Sequence, residues 1–174
     1  NLSEDTALLI ERSLIDAIGL GHGKLTNKVR GHDVENGRES LQEIAIKLNP
    51  EQADFKHRIL ILRLNQHWRQ NMSEGELYDI TRGIWKLGPR RERVEVVLAV
   101  SNGIVRRVYI PESWHPAGTT NYTHKHPDIE EKHRSRWEFV GKPATENEHL
   151  EYMYKDVSWF YKKGEQTSTR YTFQ

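Results

Sequence analysis

A β-sheet is indicated by Val-Glu-Val-Val-Leu-Ala-Val-Ser-Asn-Gly-Ile-Val-Arg-Arg-Val-Tyr-Ile (residues 94–110). The runs 94–100 and 104–110 are rich in β-branched residues, which favour strands. Asn102 and Gly103 lie between them, and Asn-Gly is typical of a type I′ turn because both central residues of that turn need a positive φ. The sequence therefore predicts a β-hairpin with strands over 94–100 and 104–110.

Two further elements are predicted before the hairpin. Residues 58–64 (Arg-Ile-Leu-Ile-Leu-Arg-Leu) form an apolar run typical of a strand that is buried on both faces. Ser73 and Glu76 form a capping box, in which each side chain accepts a hydrogen bond from the backbone N–H of the other residue. This pattern predicts a helix over 74–83.

After the hairpin, residues 111–135 form a long polar insertion that contains four histidines and has no periodicity. Residues 136–141 alternate as a strand should, and residues 169–173 predict a last strand. Between them, Thr145 and Glu148 form a second capping box, which predicts a helix with an apolar inner face. That inner face consists of Leu150, Met153, Tyr154 and Val157.

The element order β-α-β-β-β-α-β predicts an α+β unit with two helices and a mostly antiparallel sheet. A small PUA-like barrel is an analogous shape, suggested by the strand order. Within this unit, Leu-Tyr-Asp-Ile-Thr-Arg-Gly-Ile-Trp (77–85) and Arg-Trp-Glu-Phe-Val-Gly (136–141) resemble a module of bacterial proteins that have no assigned activity. The resemblance therefore implies no chemistry for this unit.

The first 48 residues predict a separate, shorter helical piece. A helix is predicted over 4–18, and Glu11 lies in the middle of its apolar face. Burying an unpaired carboxylate is costly, so Glu11 is expected to have a partner, a raised pKa or a metal ion. A second helix is predicted over 39–48, and residues 49–57 predict a linker to the unit at 58–174. The apolar face around Glu11 consists of Ala7, Leu8, Leu14, Ile15 and Ile18.

A resemblance to the C-terminal half of a GIY-YIG endonuclease domain covers about residues 5–45. It rests on Glu-Arg-Ser-Leu-Ile-Asp-Ala (11–17) and Leu-Thr-Asn-Lys-Val-Arg-Gly-His (25–32). In that family the helical glutamate binds the single divalent ion and the later asparagine helps to order the site. The resemblance thus implies a DNA endonuclease in which Glu11 binds one Mg²⁺ or Mn²⁺ and Asn27 supports it. The tyrosine-bearing hairpin and arginine-bearing helix of the family precede the glutamate helix, so we expect this chain to be the C-terminal portion of a longer nuclease, inactive alone.

Arg30 and His32 lie just past Asn27, where a loop would face the scissile phosphate. An arginine offers a bidentate fork to phosphate, and a histidine titrates near neutrality. The alternative for Glu11 is a structural ion pair with a nearby arginine or lysine. The alternative for Arg30 and His32 is a solvated loop.

Residues 82–107 carry a local excess of five positive charges, although the whole chain has a net charge of only +1. Basic side chains beside a tryptophan are typical of surfaces that bind phosphates and stack on bases, so the stretch predicts DNA as a partner. The alternatives are a solvated face with Trp85 in the core, or a protein partner. The predicted nucleic-acid-binding residues are Trp85, Lys86, Arg90, Arg91, Arg93, Arg106 and Arg107.

The composition excludes several other classes of protein. The 174 residues contain no cysteine, which excludes disulfides and cysteine-ligated zinc. No apolar run reaches the length of a membrane span, so a cytoplasmic protein without a membrane partner is expected. The histidines of the insertion fit no zinc spacing and predict a mobile loop, with metal binding as the lesser alternative. Those histidines are His115, His124, His126 and His133.

Overall fold

The structure, a computed structural model, describes residues 6, 8–11, 50–69, 72–124, 135–145, 148–162 and 164–174. The chain divides into two compact units, Asn1–Asn49 and Pro50–Gln174. In the first unit, residues 6 and 8–11 are helical, inside the helix predicted over 4–18. The helix predicted over 39–48 lies outside the described residues.

A five-stranded mixed sheet organises the second unit, in the order β4-β3-β2-β1-β5. Strand β1 is parallel to β2, and the other three pairings are antiparallel. The predicted class, α+β with a small and mostly antiparallel sheet, is confirmed. Among the described residues of this unit, the strands are β1 Ile59–Arg63, β2 Val96–Ser101, β3 Ile104–Pro116, β4 Trp137–Pro143 and β5 Thr169–Tyr171, and one α-helix, α1, spans Glu74–Arg82.

The predicted hairpin joins β2 to β3. Asn102 has a φ of 52° and Gly103 a φ of 79°, as a turn with two left-handed residues requires. Further along the hairpin, the register shifts between Ala99 and Val100, which marks a β-bulge. Strand β3 then continues to Pro116, six residues beyond its predicted end, so the polar insertion begins as a strand.

Strands β1 and β2 are buried on both faces, as their apolar runs predict. Ile59 and Ile61 pack into one core, which we call the first core, while Leu60 and Leu62 pack into a second core on the opposite face. All four side chains are fully buried. Since side chains alternate along a strand, two apolar layers need such continuous apolar sequences.

Helix α1 covers the second core. Ser73 accepts a hydrogen bond from the Glu76 N–H, and the Glu76 carboxylate accepts from the Ser73 N–H at 2.9 Å. This confirms the predicted capping box, which also holds the pKa of Glu76 below its usual value. Leu77 and Ile80 bury the inner face of the helix.

The prediction of an α-helix after Thr145 is wrong. Thr145 and Glu148 do form a side-chain hydrogen bond at 3.0 Å, but two short 3-10 helices, Leu150–Tyr152 and Ser158–Phe160, follow instead of an α-helix. The backbone between them bonds to the β2–β3 hairpin, with Val105 N–H donating to the Lys155 carbonyl at 3.0 Å. These long-range bonds replace the helical ones.

Residues 50–57 belong to the second unit rather than forming the predicted linker. Ala53 is buried in the first core, and its N–H donates to the Asp156 carbonyl at 2.9 Å. The Lys56 N–H donates to the Tyr152 hydroxyl at 3.1 Å. The segment is therefore held by hydrogen bonds to the turns that follow β4.

Within the described ranges, no helix combines the length and the apolar character that crossing a membrane needs.

Candidate nucleic-acid interface

Three arginines of the predicted basic stretch lie on one 3-10 helix, Pro89–Arg93, each with its guanidinium over an aromatic ring. Arg90 lies 4.6 Å from the ring centre of Tyr171, and Arg93 lies 5.3 Å from that of Phe173. Arg91 lies 3.2 Å from the ring centre of Trp137. We call these six residues, Arg90, Arg91, Arg93, Trp137, Tyr171 and Phe173, the stacked-arginine surface.

Local sequence explains how this short helix forms. Pro89 has the φ that a first helical residue needs, and the Gly88 carbonyl accepts from the Arg91 N–H at 3.2 Å. The Arg91 side chain folds back and donates to the same carbonyl at 3.1 Å. Val94 closes the turn and leads the chain into β2.

The rings come from distant parts of the chain. Trp137 begins β4, and Tyr171 ends β5. The two rings of Tyr171 and Phe173 meet edge to face, with centres 5.4 Å apart. Burial raises the pKa of Tyr171, although Arg90 and Arg91 oppose that shift. The ring is therefore a neutral platform at physiological pH.

The arrangement leaves charge available to a ligand. Arg90 and Arg93 are exposed, whereas the Arg91 side chain is 12% exposed and also pairs with Glu92 at 3.0 Å. A guanidinium that stacks on a ring keeps its in-plane N–H donors free to form a bidentate contact with phosphate. Stacking also limits the freedom of the side chain, so less entropy is lost when it binds.

Trp85 and Lys86 lie next to this surface in the chain. Trp85 pairs with Trp137 through two backbone hydrogen bonds, and its indole N–H donates to the Thr81 carbonyl at 2.6 Å. Trp85 packs against the second core, so its contacts fit a structural role better than a role in stacking on nucleic-acid bases. Lys86 is exposed.

Arg106 and Arg107 lie elsewhere on the sheet. Arg106 is buried and stacks on Trp68 at 4.4 Å, and Arg107 forms an ion pair with Glu74 at 2.9 Å. Arg107 lies opposite Ala99, towards the carboxyl end of β2, whereas the Pro89–Arg93 helix precedes that strand. The seven predicted residues therefore do not form one patch.

Arg82, which contributes to the charge excess of the stretch, is buried and structural. It forms an ion pair with Asp79 at 3.6 Å and donates to the Asn121 carbonyl at 2.8 Å. The carboxylate of Asp79 accepts from the His124 N–H at 2.7 Å. These bonds hold Asn121 and His124 against α1, so this part of the insertion is hydrogen-bonded to the fold where the sequence predicts a mobile loop.

A buried carboxylate fixes the same segment from the other side. Glu138 on β4 is completely buried and accepts hydrogen bonds from the N–H groups of Gly118, Thr119 and Thr120 and from the Tyr122 hydroxyl. Burial alone would raise the pKa of Glu138. The hydrogen bonds lower this pKa by more than burial raises it, so the net pKa lies below its usual value. The carboxylate is fully engaged, so we assign it a structural role.

Glu11 is exposed, which differs from the buried position that its apolar neighbours predict. Leu8 and Ile10 on the same helical stretch are exposed too, at 38% and 43%. Asn27, Arg30 and His32 lie outside the described residues. The structure therefore does not test whether the predicted nuclease residues lie close together.

The histidines that come together differ from those that the sequence singles out. His115 bonds to Ser113 within β3, and His126 and His133 lie outside the described residues. Among the residues that the structure describes, His57, His149 and Glu151 instead form a group that could hold a metal ion. No sequence signal links His57 to His149, because a spacing of this length fits no metal motif.

Comparisons of the chain with protein-family models, with curated proteins and with solved structures find no match.

Proposed function

We propose that the chain contributes the glutamate-bearing part of a GIY-YIG-type DNA endonuclease, together with an accessory unit that binds nucleic acid. The stacked-arginine surface is the observation that supports the binding role. Three guanidiniums from one five-residue 3-10 helix, each over an aromatic ring, give this surface its positive charge. Contacts of this kind suit the phosphate backbone, which is repeated and charged whatever the sequence.

The binding is proposed to be independent of sequence. Arg90, Arg93 and Lys86 are the exposed cations here, and one exposed carboxylate, Glu92, lies among them. Nothing in this arrangement resembles a helix that enters the major groove, which is how base edges are usually read. The unit would thus hold DNA while the nuclease site selects where to cut.

The nuclease role rests on the resemblance at residues 11–17 and 25–32 and on the exposure of Glu11. An exposed carboxylate is open to a hydrated Mg²⁺ or Mn²⁺, which keeps several waters and takes phosphate oxygens as further ligands. The ion would stabilise the charge that develops on the phosphate and on the leaving oxygen. Asn27, Arg30 and His32 are proposed to support this site.

A salt titration tests the binding role. Affinity of the 174-residue chain for a short fluorescent duplex is measured over a range of salt concentrations, with and without Arg90→Gln/Arg93→Gln. If both arginines bind phosphates, the double variant binds more weakly, and the slope of log K against log salt becomes shallower by about 1.8, because each phosphate contact contributes about 0.9. Both residues are exposed, so little stability should be lost.

Lys56→Gln/Lys162→Gln is the matched control. Both lysines are exposed, and the control changes the net charge by the same amount. Equal slopes for the two double variants would show that only net charge matters and would refute the surface as the binding site. Absence of binding by the wild-type chain at about 50 mM salt would refute nucleic-acid binding altogether.

The second candidate is a non-catalytic binding protein in which Glu11 is structural. It predicts the same salt titration as the leading proposal, but no metal-dependent cleavage even when the chain is joined to the tyrosine- and arginine-bearing elements of the family. If the stacked-arginine surface instead binds an acidic protein, the chain would fail the DNA titration and retain its stability. Metal-dependent cleavage by the joined chain therefore separates the two proposals.

A further inference from the structure

Three side chains of the second unit have the chemistry of a transition-metal site. His57, His149 and Glu151 each offer one ligand atom, and the three atoms lie within 4.8 Å of one another. The two imidazole rings are 4.0 Å apart between centres, at an angle of 64°. We propose that these three residues bind a divalent transition-metal ion, with Zn²⁺ as the reference ion.

The ligand types select the class of metal. Two imidazole nitrogens and one carboxylate oxygen suit Zn²⁺ and neighbouring transition metals, whereas Mg²⁺ and Ca²⁺ prefer oxygen ligands throughout. Three protein ligands leave a further position for water. The site is therefore different in kind from the Mg²⁺ or Mn²⁺ site proposed at Glu11, and the proposal does not depend on nuclease function.

A buried tyrosine orients His57. The Tyr152 hydroxyl lies 2.7 Å from His57 Nδ1 and accepts from the Lys56 N–H at 3.1 Å. Tyr152 itself is 1% exposed, so this hydroxyl is held in the first core. Histidine ligands of metals are usually oriented in this way, through a hydrogen bond on the nitrogen that does not bind the ion. With Nε2 on the metal, Nδ1–H would donate to the tyrosine oxygen.

His149 is held in an uncommon backbone conformation. Its φ of 59° and ψ of 18° lie in the left-handed region, which non-glycine residues seldom adopt. The conformation reverses the chain immediately before the Leu150–Tyr152 turn. As a result, the ring of His149 contacts the ring of His57. The buried ring of Tyr152, three residues later, contacts the ring of His57 as well.

Only a small movement is needed to complete the site. Zn²⁺ binds nitrogen and carboxylate oxygen at about 2.0–2.2 Å, so ligand atoms in a tetrahedral site lie about 3.3–3.6 Å apart. A group whose atoms lie within 4.8 Å thus contracts by at most about 1.5 Å. Glu151 is exposed and can supply this movement by rotating its side chain.

Metal binding would connect two distant parts of the chain. His57 precedes β1, and His149 and Glu151 follow β4. Binding would therefore hold the 50–57 segment against the turn at 149–152, in addition to the backbone bonds already present. Since the unfolded chain does not hold these ligands together, Zn²⁺ should raise the thermal stability of the chain.

The test uses the tag-free 174-residue chain after removal of metal with a chelator. Zn²⁺ binding is measured by calorimetry, and Co²⁺ serves as a spectroscopic probe of the ligands. Three variants each remove one ligand: His57→Asn, His149→Asn and Glu151→Gln. Asparagine tolerates the left-handed backbone at 149, and at 57 its amide can still reach the Tyr152 hydroxyl.

The wild-type chain is expected to bind one Zn²⁺ at this site. Each variant should weaken that binding at least about tenfold, because even the loss of an outer hydrogen-bond partner costs 10–100-fold in metal affinity. The visible Co²⁺ bands should change or disappear in the same three variants. The rise in melting temperature with Zn²⁺ should be lost with them.

Two matched variants serve as controls. His115→Asn changes another half-buried histidine, and Glu112→Gln changes another exposed carboxylate. Both should bind Zn²⁺ like the wild type. The proposal is overturned if the wild type binds no Zn²⁺, if all three ligand variants retain wild-type affinity, or if the controls lose as much affinity as the ligand variants.

Discussion

The fully buried carboxylate of Glu138 has a structural role rather than a catalytic one. Its carboxylate accepts three backbone N–H groups from residues 118–120 and one hydroxyl from Tyr122. Removing one partner from such a network leaves the other buried polar groups without hydrogen bonds. The free-energy cost of these unsatisfied groups is larger than the net stabilisation that the network provides. The residue is therefore a point where a small change should have a large effect.

Glu138→Gln is expected to lower the free energy of unfolding by about 2–4 kcal/mol, because an amide NH₂ replaces an oxygen that faces N–H donors. Urea denaturation at neutral pH measures the change. Glu112→Gln, on an exposed carboxylate of β3, is the control and should be close to neutral. A loss for Glu138→Gln no larger than that of the control would contradict the structural role.

The same carboxylate predicts a dependence of stability on pH. The pKa of Glu138 is lower in the folded chain than its usual value, so its contribution is complete above the unfolded-state pKa, which is about 4.3. As the pH falls below that value and through the folded-state pKa, the contribution is lost. The difference in unfolding free energy between wild type and Glu138→Gln should thus be constant near neutrality and shrink below about pH 4.3. A difference that stays constant down to pH 3 would contradict this assignment.

At the level of helices and strands, hydrogen bonds between near neighbours in the sequence predict α1, whereas long-range contacts determine the structure of the segment after Thr145. The capping box at Ser73 and Glu76 predicts α1 correctly, because its hydrogen bonds and its helix lie within a few residues. The similar pair Thr145 and Glu148 forms its side-chain bond without starting an α-helix. There the chain instead buries Tyr152 and Val157 in the first core and bonds to the β2–β3 hairpin, contacts that the sequence does not reveal.

Gly141 on β4 should tolerate no side chain. A Cβ at this position would lie 2.3 Å from the Ile110 carbonyl oxygen and 3.0 Å from Pro111 Cα, both of them backbone atoms. The two strands would have to separate beside the register shift at 111–113. Gly141→Ala is therefore expected to cost about 1–3 kcal/mol, as overpacked sites do, measured by urea denaturation.

Gly88 offers the matched control for that substitution. A Cβ there meets nothing within 4 Å, and its φ of −84° suits any residue. Gly88→Ala should be neutral or stabilise the chain by up to about 1 kcal/mol, because it restricts the unfolded chain. Equal losses at both glycines would show that the close contact at Gly141 is not the cause.

For the molecule as a whole, the sheet and its two cores follow from apolar patterns, whereas the candidate sites do not. Alternation and continuous apolar runs specify which faces are buried, and those runs are local. The stacked-arginine surface pairs Arg90 with Tyr171, and the proposed metal site pairs His57 with His149. Both juxtapositions depend on the strand order β4-β3-β2-β1-β5, which only the folded chain provides.

Glu11 carries the prediction that concerns the function of the whole protein. Under the proposed function, the 174-residue chain, incubated with supercoiled plasmid and Mn²⁺, should produce no nicking above a Glu11→Ala control, because the resemblance covers only the C-terminal half of the endonuclease domain, without its tyrosine- and arginine-bearing elements. When the chain is joined to those elements, Glu11→Gln should abolish Mg²⁺- or Mn²⁺-dependent cleavage. Its melting temperature should change little, since Glu11 is exposed and surface substitutions usually stay within about 0.5 kcal/mol. Glu112→Gln should keep full cleavage. Continued cleavage by Glu11→Gln, or a large fall in its melting temperature, would reject Glu11 as the metal ligand and favour the non-catalytic binding protein.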